Sequence, residues 1–258
     1  MKQIGIQLYT IRDWFTDEEK TAEAFRRLAE VGYTQAQTAG TYKYIAPEKF
    51  AALAKENGIE FVGTHYDWNR IRNDMEGTMK YHDILGTKNV GIGGMPPEAK
   101  ESKEALLSFI DEVNGVAAKL AEKGYKFTYH NHSFEFKKIE GKTIFEYLIE
   151  GFDKNNVSFV LDTYWLQHGG MDIRRMIERL AGRVDILHLK DMGAYNEEHN
   201  PYITDVGSGN IDFTDIIPLA EKCGVKYFVV EQDGNYAVDS MTSAKSCADW
   251  LKANVVDR

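Results

Sequence analysis

Four short segments hold most of the side chains in this sequence that could bind a metal or move a proton. They are Tyr129-His130-Asn131-His132 with Glu135 close behind, Leu161-Asp162-Thr163-Tyr164-Trp165, Leu187-His188-Leu189-Lys190-Asp191 and Val229-Val230-Glu231-Gln232-Asp233. Imidazoles and carboxylates are donors that a divalent cation takes when they converge in space. His188 sits in an apolar run, Ile186-Leu187-His188-Leu189, where an imidazole stripped of water requires a carbonyl, a carboxylate or a metal. Asp162 and Glu231 end neighbouring strand-like runs, and two facing carboxylates repel unless a cation or a proton stands between them. One ion bound by Asp162, His188 and Glu231 accounts for all three. Taken singly, Asp162 reads as a helix cap and Glu231 as a solvated loop charge.

His130 and His132 are two residues apart, so on a strand both point to one side and Asn131 to the other. One can bind the metal while the other handles protons. Glu135 is the rival fourth ligand, if the chain bends back over the rim after Ser133; His130 is preferred. Lys190 shares a face with His188, where its ammonium could stabilise a developing enolate oxygen, and an ion pair with Asp191 or Glu197 is the plain alternative. His65 ends another strand-like run and is a candidate substrate contact. Trp14, Trp68 and Trp165 follow such runs as well; their flat faces suit the C–H faces of a sugar ring, or they merely pack loops.

These positions make sense only if strand ends meet on one rim. Short apolar runs alternate with stretches of 3.6-residue period from one end of the chain to the other. The strand candidates are Gln3 to Tyr9, Thr34 to Thr38, Glu60 to His65, Asn89 to Gly93, Lys126 to His132, Val157 to Asp162, Val184 to Leu189 and Tyr227 to Glu231. Helix signals fill the intervals: Asp17 before a charged run to Glu30, Pro47 opening a run that stops at Gly58, and Asp212 before a run ending near Cys223. Eight βα units without a linker predict an α/β fold of the closed (β/α)8 TIM barrel type, one domain over residues 1–258. An open doubly wound sheet would want glycines at the first strand–helix turn, where the chain reads Thr10-Ile11-Arg12-Asp13. In a barrel, catalytic groups sit at the C-terminal strand ends, and His65, His130, His132, Asp162, His188, Lys190 and Glu231 all fall there. Gly207-Ser208-Gly209-Asn210 lies where many barrels hold a phosphate, but a plain turn is the preferred reading.

Composition narrows the partners. The 258 residues are 43% hydrophobic, enough for one large core. With 31 Lys and Arg against 40 Asp and Glu the net charge is −9, which disfavours a nucleic-acid backbone and fits a small neutral or polar ligand. No stretch approaches the roughly 18 apolar residues of a membrane span, and the first ten residues are too polar for a signal h-region, so a cytoplasmic protein is expected. Cys223 and Cys247 form neither a disulfide framework nor a zinc spacing; two buried thiols are expected.

IGIQLYTIRD, LDTYW, LHLKDM, VGSGNIDF and VVEQD, in that order, resemble the sugar phosphate isomerase/epimerase superfamily. These are xylose isomerase-like TIM barrels that also include the family 2 AP endonucleases and the inosose dehydratases. The resemblance implies one divalent ion, often manganese with Mg, Co or Zn as alternatives, on strands five to eight. Asp162, His188 and Glu231 match the ligands of strands six, seven and eight; His130 stands where many epimerases have a glutamate. That departure leaves the epimerases' proton-exchanging glutamate pair incomplete, and with two anionic ligands in place of three the ion would be a stronger Lewis acid. The YHNH…EF segment resembles that of barrels acting on 3-keto sugars by elimination or hydration. A nuclease would need extra histidines for a trinuclear zinc cluster, and Trp165 stands at one of those positions.

The expected function is therefore a metal-dependent isomerase or epimerase of a keto-sugar or related polyol. His132 or Glu231 would take the α-proton, Lys190 would assist, and the metal would stabilise an enediolate. The alternative is a dehydratase or lyase acting on a 3-keto sugar or inosose. A barrel that binds sugar without turnover and an AP endonuclease rank lower. A carbohydrate is the expected partner, with no nucleic acid or membrane, and a homo-oligomer is the base-rate expectation.

Overall fold

The strand-like runs become eight parallel strands in a computed structural model that describes residues 3–40 and 42–256. They are β1 (Ile4–Gln7), β2 (Tyr33–Ala39), β3 (Glu60–His65), β4 (Asn89–Ile92), β5 (Lys126–His130), β6 (Val157–Asp162), β7 (Val184–Leu189) and β8 (Tyr227–Val230). Their hydrogen-bonded order is β3-β2-β1-β8-β7-β6-β5-β4, with every pairing parallel. Helices lie between the strands, giving a nearly closed TIM barrel. Side chains and single backbone bonds draw β3 and β4 together: Asn89 Nδ2 donates to the Val62 carbonyl (2.8 Å), Gly91 N to Thr64 Oγ1 (3.3 Å) and Tyr66 N to the Gly91 carbonyl (2.7 Å). Only glycine fits at 91, because a Cβ there would stand 2.3 Å from the Thr64 carbonyl oxygen.

The helix starts follow the local chemistry. Asp17 Oδ1 accepts the Lys20 N–H at the start of α1 (Glu18–Glu30), Pro47 is the first residue of α2 (Pro47–Glu56), and Asp212 accepts N–H groups of Thr214 and Asp215 ahead of the helix Phe213–Lys222. The apolar faces of these helices close on the outside of the barrel. Phe25 of α1, Phe50 of α2 and Phe61 of β3 pack with ring centroids 5.2 and 5.4 Å apart, each buried ring worth about 2–3 kcal/mol of transfer free energy.

Three strands, β3, β6 and β7, have the expected bounds; others differ at the rim. β1 stops at Gln7 because Gln7 Oε1 accepts the Tyr9 N–H and winds Leu8–Trp14 into a 3₁₀ helix. β5 stops at His130 and β8 at Val230, so His132 and Glu231 lie just beyond regular pairing. The Gly207–Asn210 stretch is a turn, wrapped around a carboxylate. The N–H groups of Gly207, Gly209 and Ile211 donate to Asp191 at 2.9, 3.0 and 3.1 Å, leaving those donors engaged within the protein. Cys247 is buried, but Cys223, expected to be buried, is only half-buried because it caps the end of its helix. Among the described residues, no helix is long and apolar enough to cross a membrane.

Candidate metal centre

Val160, Ile186 and Val229 belong to a small apolar cluster separate from the main core, and two residues farther along stand Asp162, His188 and Glu231. Strand alternation returns the side chain to the same face after two residues, so an apolar layer inside the barrel is capped by a polar one. Asp162 pairs in register with His188, and Val229 of β8 pairs with His188 from the other side. His130 completes the group: it, Asp162, His188 and Glu231 are buried, and one ligand atom from each lies within 4.8 Å of all the others.

The ligand atoms are held by further groups. The Gly93 carbonyl lies 3.3 Å from His130 Nδ1, so an N–H there leaves Nε2, 3.3 Å from Asp162 Oδ2, as the donor atom. Gln37 Oε1 lies 2.6 Å from His188 Nε2, and His188 Nδ1 approaches Glu231 Oε2 at 2.8 Å and Asp162 Oδ2 at 3.7 Å. Asp162 divides its work: Oδ1 accepts the Trp165 N–H as the cap of helix Thr163–His168, while Oδ2 faces the histidines. Asn131 Oδ1 accepts the Asp162 N–H (3.0 Å), and Thr163 Oγ1 donates to the Lys190 carbonyl (2.8 Å), tying the ends of β5, β6 and β7. Two imidazoles and two carboxylates, of which His130, His188 and Asp162 are each oriented by a further partner, fit a divalent cation.

Burial alone would neutralise these groups, and their mutual charges oppose it. Asp162 and Glu231 stay well below the ordinary carboxylate range: burial pushes them up, and Lys190 together with His130 and His188 outweighs it. For His188 burial is likewise overcome, here by Glu231 and Asp162, and its pKa rises to about 9. His65 and His132 go the other way: burial and the neighbouring His130 keep both neutral, His132 falling to about 3. Nε2 of His65 and Nδ1 of His132 are buried and make no hydrogen bond to the protein.

These groups face a cavity of about 410 Å³ at the strand ends, lined by Tyr9, His65, His132, Lys190, Glu231 and Asp233 among others. Lys190 is fully buried and pairs with Asp162, Glu231 and Asp233, and neither Asp191 nor Glu197 is its partner. Asp191 is occupied by the glycine turn and by the Met192 N–H.

Glu135 does not join the four ligand groups. It is buried behind the rim, where its carboxylate accepts from Tyr129 Oη (2.7 Å) and from the His132 N–H (2.9 Å), because the chain after Ser133 turns into a short 3₁₀ helix. Burial lifts its pKa to about 8. The tryptophans separate. Trp165 lies 5.4 Å from the His132 ring and 5.3 Å from Lys190 Nζ. Trp68 instead packs on Phe109 and Phe127, and Trp14 lies under the Arg27 guanidinium in a surface groove of about 790 Å³ that shares no residue with the mouth cavity. As sugar contacts, Trp14 and Trp68 are out of place, since α1 and the helix Lys103–Ala121 draw their indoles outward. Sequence reasoning passed over Asp233, Gln37 and Gln7. Gln35 and Gln37, amides at alternate positions of β2 and therefore on one face of the strand, were the available signal.

A family model described as xylose isomerase-like TIM barrel matches residues 25–254. A protein named inosose dehydratase from Geobacillus kaustophilus is 26% identical, over 93% of this chain and 87% of its own length. Among solved structures, a sugar phosphate isomerase/epimerase from Parabacteroides distasonis superposes with a TM-score of 0.83 at 23% identity, covering 100% of this chain and 96% of its own. A structure titled L-ribulose 3-epimerase gives 0.76 at 15%, over 100% of this chain and 95% of its own. At such identities the solved structures share the fold, and the match over residues 25–254 places the chain in the xylose isomerase-like TIM barrel family.

Proposed function

We propose that this protein is a metal-dependent enzyme acting on a keto-sugar or related polyol, beginning with removal of a proton α to a carbonyl. The convergence of His130, Asp162, His188 and Glu231 beside a cavity that also presents His132 and Lys190 carries this reading. A single divalent ion held by those four residues, Mn²⁺ by preference and Mg²⁺, Co²⁺ or Zn²⁺ as alternatives, would polarise the substrate carbonyl. His132 is the favoured proton acceptor. It is neutral and its Nδ1 is not engaged by the protein, which leaves that atom open to a proton from substrate. Glu231 is the second candidate base, while Lys190 supplies fixed positive charge near a developing oxyanion. Trp165 and His65 flank this set and suit substrate contacts.

Return of the proton to the other face or to the neighbouring carbon gives epimerisation or isomerisation. A second reading, β-elimination on a 3-keto sugar or inosose, is favoured by Asp233. Its carboxyl lines the cavity beside Lys190, and burial and Glu231 raise its pKa from the ordinary carboxylate value, which suits it to protonate a departing hydroxyl better than Asp162 or Glu231. The inosose dehydratase relative supports the same reading. We also place the enzyme in the cytoplasm, with a small carbohydrate as its partner and no nucleic acid.

Incubation of the metal-loaded protein with ketohexoses, inososes and 3-keto sugars in D₂O tests the shared step. Deuterium should enter the α-carbon, and the product spectrum separates an epimer from an unsaturated sugar. No incorporation from any of them would sink the proposal. Full tolerance of Asp162→Ala would point to a binding barrel, and cleavage of an abasic duplex to a nuclease.

A further inference from the structure

The ammonium of Lys190 has three N–H donors and no acceptor; it donates a hydrogen bond to Asp233 and stands in ion-pair contact with Asp162 and Glu231. Nζ lies 3.1 Å from Asp162 Oδ2, 2.8 Å from Glu231 Oε2 and 2.9 Å from Asp233 Oδ2, with the Lys190 side chain only 1% exposed. The first two oxygens are the same atoms that face the histidines: Asp162 Oδ2 lies 3.3 Å from His130 Nε2, and Glu231 Oε2 lies 2.8 Å from His188 Nδ1. The third oxygen belongs to a residue outside the ligand group, on the side chain of Asp233, which is 29% exposed.

We propose that Lys190 is a built-in competitor for the metal site. Its ammonium and a divalent ion claim the same two carboxylate oxygens, and Asp233 is the seat that retains the ammonium once an ion takes them. The inference rests on the four-residue group being a metal site. An ammonium and a divalent ion drawn to the same two oxygens repel strongly at the low effective dielectric of a buried site, so the ammonium weakens ion binding, and Asp233 offsets part of that penalty. The consequence for function is a coupling: an ion that occupies Asp162 and Glu231 releases Lys190 from two of its three ion pairs, leaving N–H donors for a substrate oxygen. Without the ion, Lys190 is fully engaged.

The test titrates Mn²⁺ into metal-free wild type, Lys190→Met, Asp233→Asn and the double variant against a competing chelator, with ions per chain read by elemental analysis. Lys190→Met should bind the ion about tenfold tighter or more, and Asp233→Asn about threefold weaker or more. In the double variant the loss from Asp233→Asn should vanish, since Asp233 acts through the ammonium. Lys190→Gln, which keeps an N–H donor for the carboxylates without the charge, serves if Lys190→Met does not fold, and it too should bind tighter. Unchanged or weaker affinity in a folded Lys190 variant overturns the proposal, as does an Asp233→Asn loss that persists when Lys190 is absent. Binding of no ion by any of the proteins overturns it together with the metal site itself, an outcome distinct from equal affinities, which remove only the competition.

Discussion

Gln37 Oε1 lies 2.6 Å from Nε2 of His188, across the barrel interior and 151 residues away in sequence. An amide oxygen only accepts, so it fixes a proton on Nε2 and turns Nδ1 toward Glu231 and Asp162. Replacing Gln37 by Leu removes that acceptor and leaves His188 free to choose the other tautomer. Metal affinity should fall about 10- to 100-fold while the far-ultraviolet circular dichroism is unchanged. A chelator competition titration that gives the wild-type constant would show that Gln37 does not orient the ligand.

Glu135 acts on the rim through its two hydrogen bonds rather than through solvent. Glu135→Ala leaves Tyr129 Oη and the His132 N–H without their buried acceptor, at a cost of about 1–3 kcal/mol, read in urea unfolding. Glu135→Gln keeps an acceptor for the His132 N–H and should lose less. It should also overtake the wild type as pH rises. The folded carboxyl ionises near pH 8 instead of 4.5, so wild-type folding is penalised increasingly above pH 4.5, up to about pH 8, and the penalty is absent in the amide. Equal pH profiles for wild type and Glu135→Gln would contradict this assignment.

His82 gives the molecule an acid sensitivity outside the group of candidate metal ligands. It is buried between Thr64 Oγ1 (2.8 Å) and the Thr78 carbonyl (2.7 Å), and burial depresses its pKa from 6.5 to about 4. A depressed histidine contributes its full stability above pH 6.5, and that contribution is lost as pH falls toward 4, in total on the order of 3 kcal/mol. His82→Gln should flatten the stability profile between pH 4 and 6.5. A variant that loses stability over that interval as steeply as the wild type would refute this role for His82.

The three tryptophans near strand ends should separate in kinetics. Trp165→Ala should raise KM or lower kcat on an accepted sugar by about tenfold or more, if the aromatic surface beside His132 and Lys190 makes the proposed substrate contact. Trp68→Ala opens a cavity against Phe109 and Phe127 and should cost about 3–5 kcal/mol of stability. Trp14→Ala should leave KM unchanged. A KM change in Trp14→Ala with none in Trp165→Ala would reverse the placement.

The sequence by itself determined the barrel and the nearest neighbours in it. Eight alternating units, helix caps at Asp17 and Asp212, and the bounds of β3, β6 and β7 followed from local periodicity and capping chemistry. Asp162, His188 and Glu231 were legible because parallel strands consecutive in sequence are neighbours in space, which carries their end residues to one rim. What only the tertiary structure decided lies across the interior or beyond the last paired residue. Gln37 and His188 belong to β2 and β7, which do not pair, and their contact exists because a closed barrel turns all its inward side chains toward one axis. The roles of Glu135, Trp14 and Trp68 stayed open in the sequence for the complementary reason. Past a strand end the chain follows its loop, and period-two alternation no longer says where a side chain points. The carboxylates that share Lys190 come from β6 and from the segment after β8, so its partners depend on the whole rim being assembled and not on Asp191 beside it in sequence.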